Sequence, residues 1–267
     1  MKQYPRVLTI AGSDSGGGAG IQADIKTISA TGSYAASAIT AVTVQNTLGV
    51  QDVFPVPVPI ISSQIDSVLS DIGADAVKVG MLHSSEVVKA VRNQLDRHNI
   101  KTLVVDPVMV STSGHRLIEP SAIQTLKREL LSRAMVITPN IPEAEILADV
   151  RIESQQQLPD IARRLSFGGK VSVLMKAGHL EDEELIDYFY NAEEDRIIQL
   201  RSKRCKSVNT HGTGCTLSSA LASYLARGYT LDDAAFAAKQ YITKAIASGA
   251  EYSIGHGHGP VNHFFSL

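Results

Sequence analysis

Short apolar runs and segments of helical period alternate along the whole chain. Residues 7–11, 35–44, 76–79, 102–105, 134–138 and 171–175 are rich in Val, Ile, Leu and Ala, as strands buried on both faces are. Between them, helical spacing predicts helices over 20–30, 86–97, 121–131, 143–148 and 158–167. Ile61, Ile65, Val68, Leu69 and Ile72 keep the same period and stop at Gly73. Runs at 185–190 and 196–200 flank a polar stretch from Asn191 to Asp195 and read as a β-hairpin. Helices over 215–227 and 231–248 close the pattern. This order predicts a three-layer α/β/α fold with a mostly parallel central sheet. No linker, low-complexity stretch or repeat interrupts it, so residues 1–267 are expected to form one domain. Ligands in such folds bind at the carboxyl ends of the strands.

Composition narrows the classes. The 267 residues are 44% hydrophobic and 19% charged, with a net charge of −2 and no long run of either sign. No nucleic-acid or anionic-membrane partner is suggested. Cys205 and Cys215 make neither a disulfide framework nor a zinc set. No apolar run is long enough to span a bilayer and no secretory core is seen at the start, so a cytoplasmic enzyme is expected.

Two glycine loops carry the chemistry. Asn209-Thr210-His211-Gly212-Thr213-Gly214-Cys215-Thr216 precedes an apolar helix, whose first amides, unpaired and partly positive, suit an anion. Gly212 and Gly214 let a phosphate approach the backbone, and Cys215 stands where a helix end is expected to depress a thiol pKa. The loop after the first strand, Gly12-Ser13-Asp14-Ser15-Gly16-Gly17-Gly18-Ala19-Gly20, lacks the dinucleotide glycine spacing, and no Walker A triplet occurs anywhere. Nicotinamide binding is thereby disfavoured.

Other candidates fall at strand ends. Gln45 could read a heterocycle edge, and Asp24, in the first helix, could face the pocket or water. Asp106 follows one strand, and Asn140 and Glu143 follow the next. Such carboxylates could hold magnesium through water, while Glu143 could instead serve its own helix start. Lys176 could neutralise a phosphate. His256, His258 and His263 lack partners for a metal and read as an ordered glycine-rich tail, and Cys205 as packing.

With these residues in hand, the chain resembles the hydroxymethylpyrimidine/phosphomethylpyrimidine kinases of thiamine biosynthesis, within the ribokinase-like family. The resemblance spans nearly the whole length. It rests on Ala11-Gly12-Ser13-Asp14-Ser15-Gly16-Gly17-Gly18-Ala19-Gly20-Ile21-Gln22-Ala23-Asp24, Thr43-Val44-Gln45-Asn46 and Lys78-Val79-Gly80-Met81. Asp106-Pro107-Val108-Met109-Val110, Thr138-Pro139-Asn140, Pro142-Glu143, Gly212-Thr213-Gly214-Cys215-Thr216 and Gly255-His256-Gly257-His258-Gly259-Pro260 complete it. It implies a kinase that phosphorylates 4-amino-5-hydroxymethyl-2-methylpyrimidine and then its monophosphate, using ATP and Mg2+. By the same resemblance Gly12, Asp24, Gln45, Met81 and Val108 bind the pyrimidine. Asp106, Asn140 and Lys176 attend the triphosphate, Asp106 and Glu143 the magnesium, and Gly212, Thr213 and Gly214 form an anion hole with Cys215 as base. Where many members carry a lysine-containing lid, this chain has Ser111-Thr112-Ser113-Gly114-His115-Arg116. Pyridoxal or pyridoxine phosphorylation is the alternative activity, and a non-catalytic pyrimidine-binding sensor the alternative class. A homodimer is left open.

Overall fold

The structure, a computed structural model, describes residues 4–110, 117–178, 180 and 183–266. The lid segment discussed above, including Arg116, lies outside the described residues. Among those described, nine strands form one sheet in the order β3-β2-β1-β4-β5-β6-β7-β8-β9. They are β1 (Arg6–Asp14), β2 (Tyr34–Asn46), β3 (Gly49–Pro55), β4 (Ala76–Val79), β5 (Leu103–Val105), β6 (Val136–Ile137), β7 (Ser172–Met175), β8 (Glu184–Asn191) and β9 (Arg196–Lys203). The run from β2 through β1, β4, β5 and β6 to β7 is parallel, and both outer parts of the sheet are antiparallel. The expected mostly parallel sheet is therefore present, with ends that reverse direction.

Helices cover both faces. On one side lie α2 (Val58–Asp71), α3 (Ser85–Arg97), α4 (Pro120–Glu129), α5 (Ile141–Ala148) and α6 (Leu158–Leu165), sharing a core with Leu8, Ile10, Val77 and Val105. On the other lie α1 (Gly20–Ala30), α7 (Thr213–Ala226) and α8 (Leu231–Gly249), packed on Val7, Ala76, Val104 and Val136. Alternate residues of the central strands thus feed opposite cores, which is why the runs are apolar throughout. All four residues of β4 are buried, Lys78 among them. Ser84 caps α3 by accepting the Val87 N–H, and Thr230 caps α8 by accepting that of Asp233. No described helix is long and apolar enough to cross a membrane.

Candidate active site

The first glycine loop folds around Asp14. Its carboxylate accepts the N–H groups of Gly16 (2.8 Å), Gly18 (3.0 Å) and Ala19 (2.8 Å), and pairs with His211 Nε2 at 2.9 Å. Gly20 starts α1 with φ +55°, and a Cβ there would overlap the Gly12 carbonyl. Gly12 itself faces Met81, whose sulfur would lie 3.0 Å from an added Cβ.

The second loop leans on the first. Gly212, the N-cap of α7, has φ +78°, and a side chain there would run into the Gly18 carbonyl. No side chain caps this end, so apart from the Thr213 N–H, which donates to the Thr210 carbonyl at 3.4 Å, its first-turn amides stay open to an anion. Gly214 lies within the helix, close under the next pair of charges: an added Cβ would be 3.2 Å from Lys176 Nζ and 3.5 Å from Asp106 Oδ2.

Two lysine–aspartate pairs underlie the loops. Lys176 Nζ lies 2.9 Å from Asp106 Oδ1, which also accepts from Thr138 Oγ1 at 2.8 Å. Burial opposes ionisation of Asp106, but Lys176 and Lys78 outweigh it and hold the carboxyl below its ordinary range. Lys78 Nζ meets both oxygens of Asp24, at 2.8 and 2.9 Å, and neither side chain is exposed. Thr9 Oγ1 (2.6 Å) and Ser219 Oγ (2.7 Å) also donate to Asp24. Asp24 was expected at the pyrimidine. It stands instead behind Lys78, fully buried and saturated, while Lys78 reaches the cavity wall.

Asn140 and Glu143 make a capping box at α5: the Asn140 N–H donates to Glu143 Oε2 (2.8 Å) and the Glu143 N–H to Asn140 Oδ1 (2.9 Å). The helix-start reading of Glu143 is therefore realised. Both residues also line the cavity. Burial pushes the Glu143 carboxyl up to about 7, with Lys176 pulling it down and Asp106 adding to the rise.

The expected depression of the Cys215 thiol is corrected here. Burial pushes its pKa up to about 11, helped by Asp24 and Asp106, and Lys78 offsets only part of this. The helix end is a partial charge, whereas two carboxylates and lost hydration act at close range.

One cavity of about 640 Å³ joins these parts. Gly12, Gln45, Met81 and Val108 line it, as do Gly212, Thr213, Gly214 and Cys215 and also Asp106, Asn140, Glu143 and Lys176. Every predicted site residue but Asp24 lies on this wall. Cys205, expected only in packing, lies on it as well. Sequence reasoning named Asp14, Lys78 and His211 within motifs but gave them no role. A lysine inside an apolar strand was the available signal for Lys78. In the histidine tail, the His256 and His258 amides bond to Thr47, and His263, buried against Thr216 Oγ1 at 3.1 Å, is pushed down to about 4. Among the described residues no cluster of metal-ligating side chains occurs there.

A family model described as phosphomethylpyrimidine kinase matches residues 14–262. The hydroxymethylpyrimidine/phosphomethylpyrimidine kinase of Escherichia coli is 44% identical, over 96% of this chain and 96% of that protein. The thiamine biosynthesis bifunctional protein ThiED of Geobacter sulfurreducens is 47% identical, and there the chain spans 53% of the relative's length. A phosphomethylpyrimidine kinase structure from Clostridium difficile superposes with TM-score 0.79 at 44% identity, covering 90% of this chain and 99% of that one. Pyridoxal kinase from Staphylococcus aureus in complex with ADP gives TM-score 0.90 at 33% identity, covering 98% and 94%. By sequence and by its ribokinase-like fold, the chain belongs to the phosphomethylpyrimidine kinase family, kinases of thiamine biosynthesis.

Proposed function

We propose that this chain, working as one domain, transfers phosphate from ATP to the hydroxyl of 4-amino-5-hydroxymethyl-2-methylpyrimidine, and then a second phosphate onto the product. The observation that carries the reading is that one cavity is lined by Gln45 and Met81, by the helix end from Gly212 to Cys215, and by Asp106 and Lys176. A heterocycle held by Gly12, Gln45, Met81 and Val108 would present its hydroxymethyl group to Cys215. Phosphoryl transfer asks mainly for positioning and for charge where charge spreads. The amides of α7 and the Lys176 ammonium provide it around the migrating group. Cys215 takes the acceptor proton in the first step. In the second step the acceptor is already anionic and needs no base.

The donor set suits magnesium, since Asp106 and Glu143 are hard oxygen ligands and the raised Glu143 carboxyl marks a buried acid short of positive charge. When bound there, the ion would neutralise phosphate oxygens. Asn140 holds Glu143 through the capping box, its N–H donating to Glu143 Oε2. A cytoplasmic location and a homodimer belong to the same proposal; for the latter, Val42, Val44 and Phe54 form an exposed apolar patch on β2 and β3, and sedimentation of the purified chain reads it.

The test is ATP consumption with the hydroxymethylpyrimidine, its monophosphate and pyridoxal offered separately. Turnover of both pyrimidines is expected. Pyridoxal is the second reading, favoured by the high structural similarity to a pyridoxal kinase. Turnover of pyridoxal alone would replace the first reading with the second.

A further inference from the structure

The acceptor end of the cavity holds a chain of hydrogen bonds that phosphoryl transfer does not use. Asp14 Oδ2 lies 2.9 Å from His211 Nε2, and that nitrogen lies 3.1 Å from Gln45 Nε2. Gln45 Oε1 is 3.2 Å from Thr43 Oγ1, and the Thr43 hydroxyl is 2.9 Å from the Ser13 carbonyl, so one hydroxyl proton faces two acceptors. The Gln45 backbone is pinned separately, because Ser15 Oγ accepts its N–H (2.9 Å) and donates to its carbonyl (2.7 Å).

Donors and acceptors along this chain can be assigned. Burial works against ionisation of Asp14, but the His211 contact and the loop amides outweigh it and keep the carboxyl below its ordinary range. An ionised carboxylate only accepts, so His211 Nε2 carries the ring proton. A protonated Nε2 cannot accept from an amide nitrogen, so the amide, drawn with Nε2 at His211, is to be turned over, bringing its oxygen there to share the ring N–H with Asp14. The opposite end gives the same answer independently. The Ser13 carbonyl only accepts, so the single Thr43 hydroxyl proton points there, and Thr43 can only accept from Gln45. That end is therefore the NH2 group. Amide nitrogen and oxygen are nearly isosteric, so the neighbours decide the orientation, and here both neighbours agree. The fixed amide keeps one N–H and one carbonyl lone pair for a ligand.

We propose that the Asp14–His211 pair locks the Gln45 amide in one orientation, with Oε1 at His211 and Nε2 at Thr43. His211 is thereby a specificity-determining residue for acceptors that carry an exocyclic amine beside a ring-nitrogen acceptor. The inference rests on the function proposed above. An acceptor with a 4-oxo group and a ring N–H presents the reverse order of donor and acceptor and meets the locked amide mismatched. An unlocked amide turns over and accepts either.

The experiment measures kcat/KM for the aminopyrimidine and for 5-hydroxymethyl-2-methylpyrimidin-4-one with wild type, His211→Leu and His211→Gln. His211→Leu is expected to lower the preference for the amino acceptor by about tenfold or more, mainly through KM for the acceptor. His211→Gln, whose NH2 can donate to both Asp14 and Gln45, is expected to restore it. Losses common to both acceptors cancel in the ratio. An unchanged ratio in His211→Leu, or a Gln variant as indifferent as the Leu variant, overturns the lock. The ring tautomer is read independently on the wild-type protein by 15N-histidine NMR, with the His211 signal assigned by its loss in the Leu variant. A protonated Nε2 is expected, and an unprotonated Nε2 overturns the lock whatever the kinetics show. Wild type inactive on both pyrimidines but active on pyridoxal would remove the proposed substrate, and the tautomer would still decide the lock.

Discussion

The two lysine–aspartate pairs beside Cys215 have the same composition and opposite settings. Lys78 and Asp24 are both buried, only Lys78 touching the cavity wall, and Thr9 and Ser219 complete the carboxylate's hydrogen bonds. Lys176 keeps some exposure to the cavity, and Asp106 keeps one oxygen with only a long contact, 3.4 Å, from Ser218. A carboxylate saturated in this way has nothing left to offer a ligand and serves the fold. An unsaturated pair can exchange its partner for a phosphate or a cation. Completeness of the first shell, more than residue type, separates scaffold from site.

Cutting each pair in turn should give opposite profiles. Lys78→Met leaves the Asp24 carboxylate buried without a counter-charge, and such a cut costs about 3–5 kcal/mol. Lys176→Met leaves Asp106 with Thr138, Ser218 and an open cavity, so its stability loss is expected to stay below about 2 kcal/mol. Its turnover should nonetheless fall by about 10²-fold or more, as for loss of a charge-stabilising donor. Urea denaturation and steady-state kinetics on both variants are the measurements. Equal stability losses would erase the distinction drawn here.

Cys215 lies within reach of both pairs and sharpens the comparison. Replacing it with alanine should slow hydroxyl phosphorylation by about 10²- to 10⁴-fold and touch the phosphate step far less. Because its pKa is raised to about 11, the thiolate is scarce at pH 7 and grows with every unit of pH. Single-turnover rates of the hydroxyl step should therefore climb between pH 7 and pH 9.5, roughly tenfold per unit, while the phosphate step stays flat. A flat first step would take the proton from some other group.

These distinctions mark what a linear reading can hold. The parallel strands were legible because burial on both faces makes them apolar without interruption. β3 was not, since Gln51, Asp52, Phe54 and Pro55 face solvent on an edge and carry no inside–outside alternation. β6 shrank to Val136–Ile137. The glycine loops were legible because their geometry is local. The place of Asp24 behind Lys78 was not legible because the two lie 54 residues apart, and Asp14 and His211 lie 197 apart. The thiol shift failed for a like reason: the helix end is local, while the burial that raises the thiol, and the carboxylates that add to it, come from the assembled fold.

The smallest effect concerns the open pair's third member. Glu143 has its carboxyl pushed up to about 7 from an ordinary 4.5, with burial the first cause. The folded chain thus holds this proton more tightly than the unfolded one. The resulting stability is fully present below about pH 4.5 and is lost as pH rises through 7. Glu143→Gln stays neutral throughout and can still accept the Asn140 N–H through its amide oxygen. Between pH 5 and pH 8, wild type should lose on the order of 2 kcal/mol relative to the glutamine variant. Urea unfolding of both proteins at the two pH values measures the difference, and parallel losses would mean that the carboxyl is not short of positive charge. Added magnesium with a non-hydrolysable ATP analogue should close the gap at pH 8, because a cation beside Asp106 and Glu143 favours the charged carboxylate. No such recovery is expected for Lys78→Met, whose stranded carboxylate no soluble cation can reach.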